Sequence, residues 1–191
     1  EPSALARVYS NALSKLPSSL KNSLPAPQND VNIRIGASVV LANADVATNV
    51  PLSVLAHALQ DPAWQVRVNA LNCLYQVVLP KAGPEKAEIL SRIEAAAQDP
   101  YYEVRMCAAN CLGFYRNASN RVAPILTKAL KDDYPDVRIR AAMAFHALDP
   151  ALAEDAGAIA VAFDCLMSGG IHGSRYLATN FLQELGKLPR N

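Results

Sequence analysis

DPAWQVRVNALNCL, residues 61–74, decides the fold. Its pattern returns as DPYYEVRMCAANCL at residues 99–112 and as DDYPDVRIRAAMAF at residues 132–145. A self-similar unit every 33 to 38 residues marks a helical solenoid, in which each unit buries its apolar face against its neighbours. Aligning on Arg67, Arg105 and Arg138 exposes two fainter copies, around Arg34 and Arg175. Three residues after each arginine stands an alanine: Ala37, Ala70, Ala108, Ala141 and Ala178. Seven after stands Leu41, Leu74, Leu112, Phe145 or Leu182, and one before stands Ile33, Val66, Val104, Val137 or Ser174. Those offsets fall on one stripe of a 3.6-residue helix and predict its core face. The alanine column lets neighbouring helices approach closely.

An aspartate followed six residues later by Val-Arg and then Ala, with a helix before it, resembles HEAT repeats, including the HEAT-like units of bilin-lyase proteins. The resemblance covers nearly the whole chain. It implies an all-α fold, a right-handed α-α superhelix of about five helix pairs spanning 1–191 as one domain. The units are expected at about 3–46, 51–79, 84–116, 119–148 and 151–188. It also implies a structural ladder in which aspartates and arginines hydrogen-bond along the stack: Asp61, Asp99 and Asp132 with Arg67, Arg105 and Arg138. The end units depart from the pattern, with Gln28 (Asp30 nearby) and Ser168 at the aspartate position, as terminal repeats commonly do.

Bulk composition agrees. Hydrophobic residues make up 51% and aromatics only 6%, and a net charge of +1 disfavours a nucleic-acid or membrane footprint. No run of 18 apolar residues occurs, so no membrane span is expected. The chain begins Glu1-Pro2-Ser3 without an initiator Met. A processed end and an artificial boundary both fit, so export and cytosol stay open, as does membership of a longer chain.

Along the chain, residues 3–16 read as an amphipathic helix, 17–29 as an irregular connection and 30–44 as a second helix. Helices are then expected at 51–60, 64–78, 85–98, 102–116, 119–131, 135–148, 151–167 and 172–188. Asp61-Pro62 and Asp149-Pro150 break them, because the residue before proline resists helix. Pro124 is expected in or near the first turn of its helix.

Chemical candidates are sparse. Cys73, Cys107, Cys111 and Cys165 lack Cys-x-x-Cys spacing and read as small buried apolar residues, reduced, with no metal. His57, His146 and His172 lie in different repeats with no paired His-Glu pattern. Gly169-Gly170 reads as a turn, and Asn117-Ala118-Ser119 as a sequon that matters only in a eukaryotic secretory route. No motif calls for a cofactor.

Two surfaces remain. In the family this chain resembles, second helices line the concave side. Offsets +2, +5 and +9 should then be exposed, giving Asn69, Asn72 and Gln76, then Cys107, Asn110 and Phe114. The strip continues with Arg140, Met143 and Ala147, then Leu177, Asn180 and Glu184. Asparagine is a poor mid-helix residue, and its amide can both donate to and accept from an extended peptide backbone. The second surface is the turn between paired helices, where Trp64, Tyr101, Tyr102 and Tyr134 either plug gaps, the preferred reading, or form an adhesive ridge. Leu177, Phe181 and Leu185 are expected to meet whatever follows the last repeat. The function expected is a non-catalytic scaffold binding a protein or peptide. The alternative is a HEAT-like enzyme or enzyme subunit, bilin-lyase-like or appended to a larger enzyme.

Overall fold

The computed structural model describes residues 31, 35, 36, 38, 39, 52–80, 86–168 and 172–189. The expected helix at 3–16, the connection at 17–29, most of the helix at 30–44 with Arg34, Ala37 and Leu41, residues 81–85 and Gly169-Gly170 lie outside them. All secondary structure among the described residues is helical. The chain divides into two compact units, residues 1–92 and 93–191.

In the first unit α1 (Leu52–Ala58) packs on α2 (Trp64–Cys73). The expected helix at 64–78 changes hand-off at its end: Leu74–Val78 is π-helical, closed by the Leu79 N–H donating to the Leu74 carbonyl at 2.8 Å. Asn69 Nδ2 donates to Ser38 Oγ (2.9 Å), and Ser38 Oγ donates to the Ile35 carbonyl (2.7 Å). That chain of bonds ties α2 to the preceding helical segment. Arg92, on α3 (Lys86–Ala96), donates from Nη1 to the Ala56 carbonyl at the end of α1.

The second unit comprises α4 (Tyr102–Leu112), a 3-10 turn at Arg116–Ala118, α5 (Ser119–Ala129), α6 (Pro135–Leu148), α7 (Pro150–Asp155), α8 (Ala158–Met167) and α9 (His172–Glu184). α6 is its centre and packs on α4, α5, α7, α8 and α9. The expected helix at 102–116 ends at Leu112, and Gly113 follows it against α6. A Cβ there would lie 3.1 Å from both Cα and O of Ala144, so the end of α4 sits directly on the backbone of α6. The expected continuous helix at 151–167 is two helices. Asp149 Oδ1 accepts the Ala151 and Leu152 N–H groups and starts α7. Gly157, at φ 77°, then turns the chain into α8 through a left-handed conformation. Pro124 lies inside α5 rather than at its start.

The three-offset stripe is the core. Val66, Val104, Val137 and Ser174, the alanines 70, 108, 141 and 178, and Leu74, Leu112, Phe145 and Leu182 are all buried. Full burial of each large apolar side chain contributes about 1.5–3 kcal/mol. The alanines contribute closeness instead, since a larger side chain would push the helices apart. Two expectations fail at this level. Cys107, assigned to the exposed strip, is buried, because α4 is covered along that edge by α6. Phe181, expected to face outward, is buried with its ring edge-on to His146, ring centroids 5.7 Å apart. Among the described residues, the exposed large apolar side chains of the last repeat are Leu152, Phe163, Met167 and Tyr176.

Ala141→Leu is expected to lower the urea midpoint, with a loss of about 1–3 kcal/mol from overpacking. Ala147→Leu on the exposed side of the same helix should stay within about 0.5 kcal/mol of wild type. Equal effects at both positions would contradict the assigned core face.

Candidate functional site

The most regular polar feature runs through the turns between paired helices. Arg67 Nη1 donates to the carbonyls of Asp61 (2.7 Å) and Pro62 (3.1 Å). Arg105 Nη1 does the same to Asp99 (2.9 Å) and Pro100 (3.1 Å), and Arg138 Nη1 to Asp132 (2.9 Å) and Asp133 (3.1 Å). Each aspartate closes the same turn from the other side. Asp61, Asp99 and Asp132 Oδ1 accept the N–H of Ala63, Tyr101 and Tyr134 at 2.8, 3.0 and 3.0 Å. Such Asx turns give the chain a reversal that helix propensity alone would resist.

The rest of the guanidinium reaches onward. Arg105 Nε and Nη2 grip Asp132 of the following repeat side-on, at 2.7 and 2.9 Å. Both side chains are mostly covered, 17% and 12% exposed. Arg138 Nη2 reaches Asp164 at 3.1 Å, so a carboxylate inside α8 takes over where Ser168 occupies the aspartate position. Arg175 departs from the series, its Nε donating to the Leu166 carbonyl. Burial pushes the Asp132 pKa up, but the Arg105 hydrogen bonds, the Tyr134 N–H and the charges of Arg105 and Arg138 outweigh it, so its carboxyl titrates below the usual range.

The aromatic turn residues are partly joined. Tyr102 and Tyr134 stack with ring centroids 4.2 Å apart and planes 5° from parallel, and the Arg105 guanidinium carbon lies 5.7 Å from the Tyr134 centroid. Tyr101 and Tyr134 remain 46% exposed, so they are not simple gap fillers. A groove of about 620 Å3 opens beside them, lined by Gln98, Arg105, Pro124, Lys128, Lys131 and Asp133. It carries both charge signs.

The second-helix face is less uniform than the sequence implied. Asn69, Asn72, Asn110, Phe114, Arg140, Met143 and Asn180 are half-buried, and Gln76 and Glu184 are exposed. Asn69 is committed to Ser38, and Asn72 has an interaction partner too. The side-chain amides of Asn110 and Asn180, on α4 and α9, form no hydrogen bond among the described residues. Arg140 Nε is shut off from solvent without a hydrogen-bond partner among the described residues. Asn110, Arg140, Met143 and Asn180 all sit on helices that pack together around α6.

All four cysteines are free and buried. Burial pushes the Cys73 thiol up to about 11, and Cys107 up to about 11 despite the opposing charge of Arg140. No group of three or more metal-ligating side chains occurs among the described residues. His57 Nδ1 bonds the Ser53 carbonyl at 2.8 Å within its own helix. Sequence reasoning missed Asp164 because it stands outside the repeat register, and missed the Arg121–Glu94 ion pair (2.6 Å) because neither residue recurs. No helix among the described residues is long and apolar enough to cross a membrane.

Residues 52–146 match the family model described as HEAT repeats. No curated protein matches the chain.

Asp132→Asn is expected to cost about 2 kcal/mol near neutral pH, because it removes the charge that Arg105 holds. The lowered pKa makes this stabilisation complete above the ordinary aspartate value of 3.8 and lost as pH falls through the lower folded value. Urea melts at falling pH should therefore show the two proteins converging below about pH 4. A constant gap down to about pH 2 would mean that the Asp132 charge contributes nothing.

Proposed function

We propose, for a chain whose residues 52–146 belong to the HEAT-repeat family, that it is a non-catalytic scaffold holding a protein or peptide segment along the face of its second helices. HEAT repeats commonly mediate protein–protein interaction. The observation that carries the finer reading is the pair Asn110 and Asn180. Both are half-exposed mid-helix amides with no hydrogen bond among the described residues. Asparagine costs helix stability, so its presence at equivalent positions of two repeats calls for a return elsewhere. An extended peptide supplies an alternating series of N–H and C=O groups, and an amide side chain answers both. Met143, on α6, adds an adaptable apolar surface between them.

The turn edge is the weaker candidate for that role. Its arginines and aspartates already satisfy each other and the backbone. Groups so fully committed have little hydrogen-bonding capacity left for a partner.

Capture of binding proteins from a lysate compares wild type with the Asn110→Asp, Asn180→Asp double variant, circular dichroism verifying the fold. A partner held by wild type should be lost or weakened at least about fivefold in the variant, each of the two amide–backbone pairs contributing about 0.5–1.5 kcal/mol. Equal retention by the two proteins would move the binding surface to the turn edge with Tyr101 and Tyr134.

A further inference from the structure

The first helices of three successive repeats bury the same three positions, spaced by four and then three residues. These are Ile89, Ile93 and Ala96 on α3, Val122, Leu126 and Ala129 on α5, and Ala158, Ala162 and Cys165 on α8. The residue after the middle one lies about 100° further round the helix. On α3 it is Glu94, whose carboxylate reaches Arg121 of the following repeat at 2.6 Å, so this side of a first helix faces the next repeat. On α8 it is Phe163, 37% exposed, and Met167, one turn further along, is 76% exposed.

The second helices agree. After the ladder arginine of α6 comes Ile139, fully buried on a helix against which α8 and α9 pack. At the same place on α9 stands Tyr176, 67% exposed. Arg175 Nε donates to the Leu166 carbonyl at 3.1 Å, which sets the start of α9 against the end of α8. Tyr176 and Met167, the next residue in each case, therefore sit at the same end of the helix pair.

The arginine ladder is open at this place too. Arg105 and Arg138 each reach a carboxylate of the following repeat, Asp132 and Asp164. Arg175 is exposed, and its two terminal nitrogens hydrogen-bond nothing among the described residues. Asp164 shows what fits such an arginine. It stands inside α8, an otherwise wholly apolar helix, so a helix can bring the carboxylate as well as a turn can. We propose that the α8–α9 face receives an amphipathic helix of a partner protein. Its apolar stripe covers Phe163, Met167 and Tyr176, and its Asp or Glu pairs with the terminal nitrogens of Arg175. The docked helix does to the last repeat what α8 does to α6, continuing the contact between repeats with a helix from outside. This surface is separate from the peptide-binding reading above and does not rest on it.

The test is a selection from a library displayed on one helix of a stable three-helix scaffold, its surface positions randomised. Wild type should enrich helices with an apolar stripe and Asp or Glu at one fixed position. By fluorescence anisotropy, the enriched scaffolds should bind Arg175→Gln at least about fivefold more weakly, and Met167→Lys and Tyr176→Lys more weakly still. Lys131→Gln, which removes an exposed charge elsewhere, should bind as wild type does. Selection on Arg175→Glu should favour Lys or Arg at the fixed position. All variants must melt with wild type by circular dichroism, which their exposure permits. Helices enriched without an acidic position, or equal affinity for wild type and Arg175→Gln, would overturn the pairing with Arg175. Enrichment of nothing, or binding untouched by Met167→Lys and Tyr176→Lys, would overturn the docking face itself.

Discussion

The turns of the second unit rest on arginines, Arg105 and Arg138, that bond backward and forward at once. One terminal nitrogen closes the turn of its own repeat by satisfying two carbonyls, those of the residues six and five before it. The remaining edge, in Arg105, is left for the aspartate of the next repeat. A single side chain thereby sets both the reversal within a helix pair and the register between pairs. Lysine could not substitute, since a point charge lacks the fork that serves two directions. The alanine column completes the arrangement: once the turns are in register, helices can close to backbone contact, as Gly113 does on Ala144.

Much of this was legible in the sequence, because repetition multiplies weak signals. The stripe at offsets −1, +3 and +7 recurs often enough to identify the core without any single residue being decisive. Helix ends were less legible. Gly113, just past the end of α4, lies against a residue 31 positions away, a closeness that no local pattern encodes. Gly157 breaks an apolar run that looks helical throughout. The exposed strip was only partly legible for a related reason. Cys107 and Arg140 occupy the same offset, but α6 covers the first, and no single-helix wheel includes the neighbouring helix.

The two polar surfaces of the second unit contrast in how their bonding capacity is used. Along the turns, donors and acceptors answer each other, and even the last repeat recruits Asp164 to keep Arg138 satisfied. Along the second helices, the Asn110 and Asn180 side-chain amides and Arg140 Nε have no hydrogen-bond partner among the described residues. Saturation is what a structural device requires, and incompleteness is what recognition requires.

The buried thiols carry a practical corollary. With pKa values pushed up to about 11, Cys73 and Cys107 hold only about one part in ten thousand as thiolate at neutral pH, and all four sulfurs are enclosed. Thiol-directed alkylating reagents therefore find little thiolate to attack as long as the protein is folded. A cysteine introduced at an exposed position such as Gln76 or Glu184 would be the one thiol that reacts, so a spectroscopic reporter can be placed on the second-helix face without first removing the native cysteines.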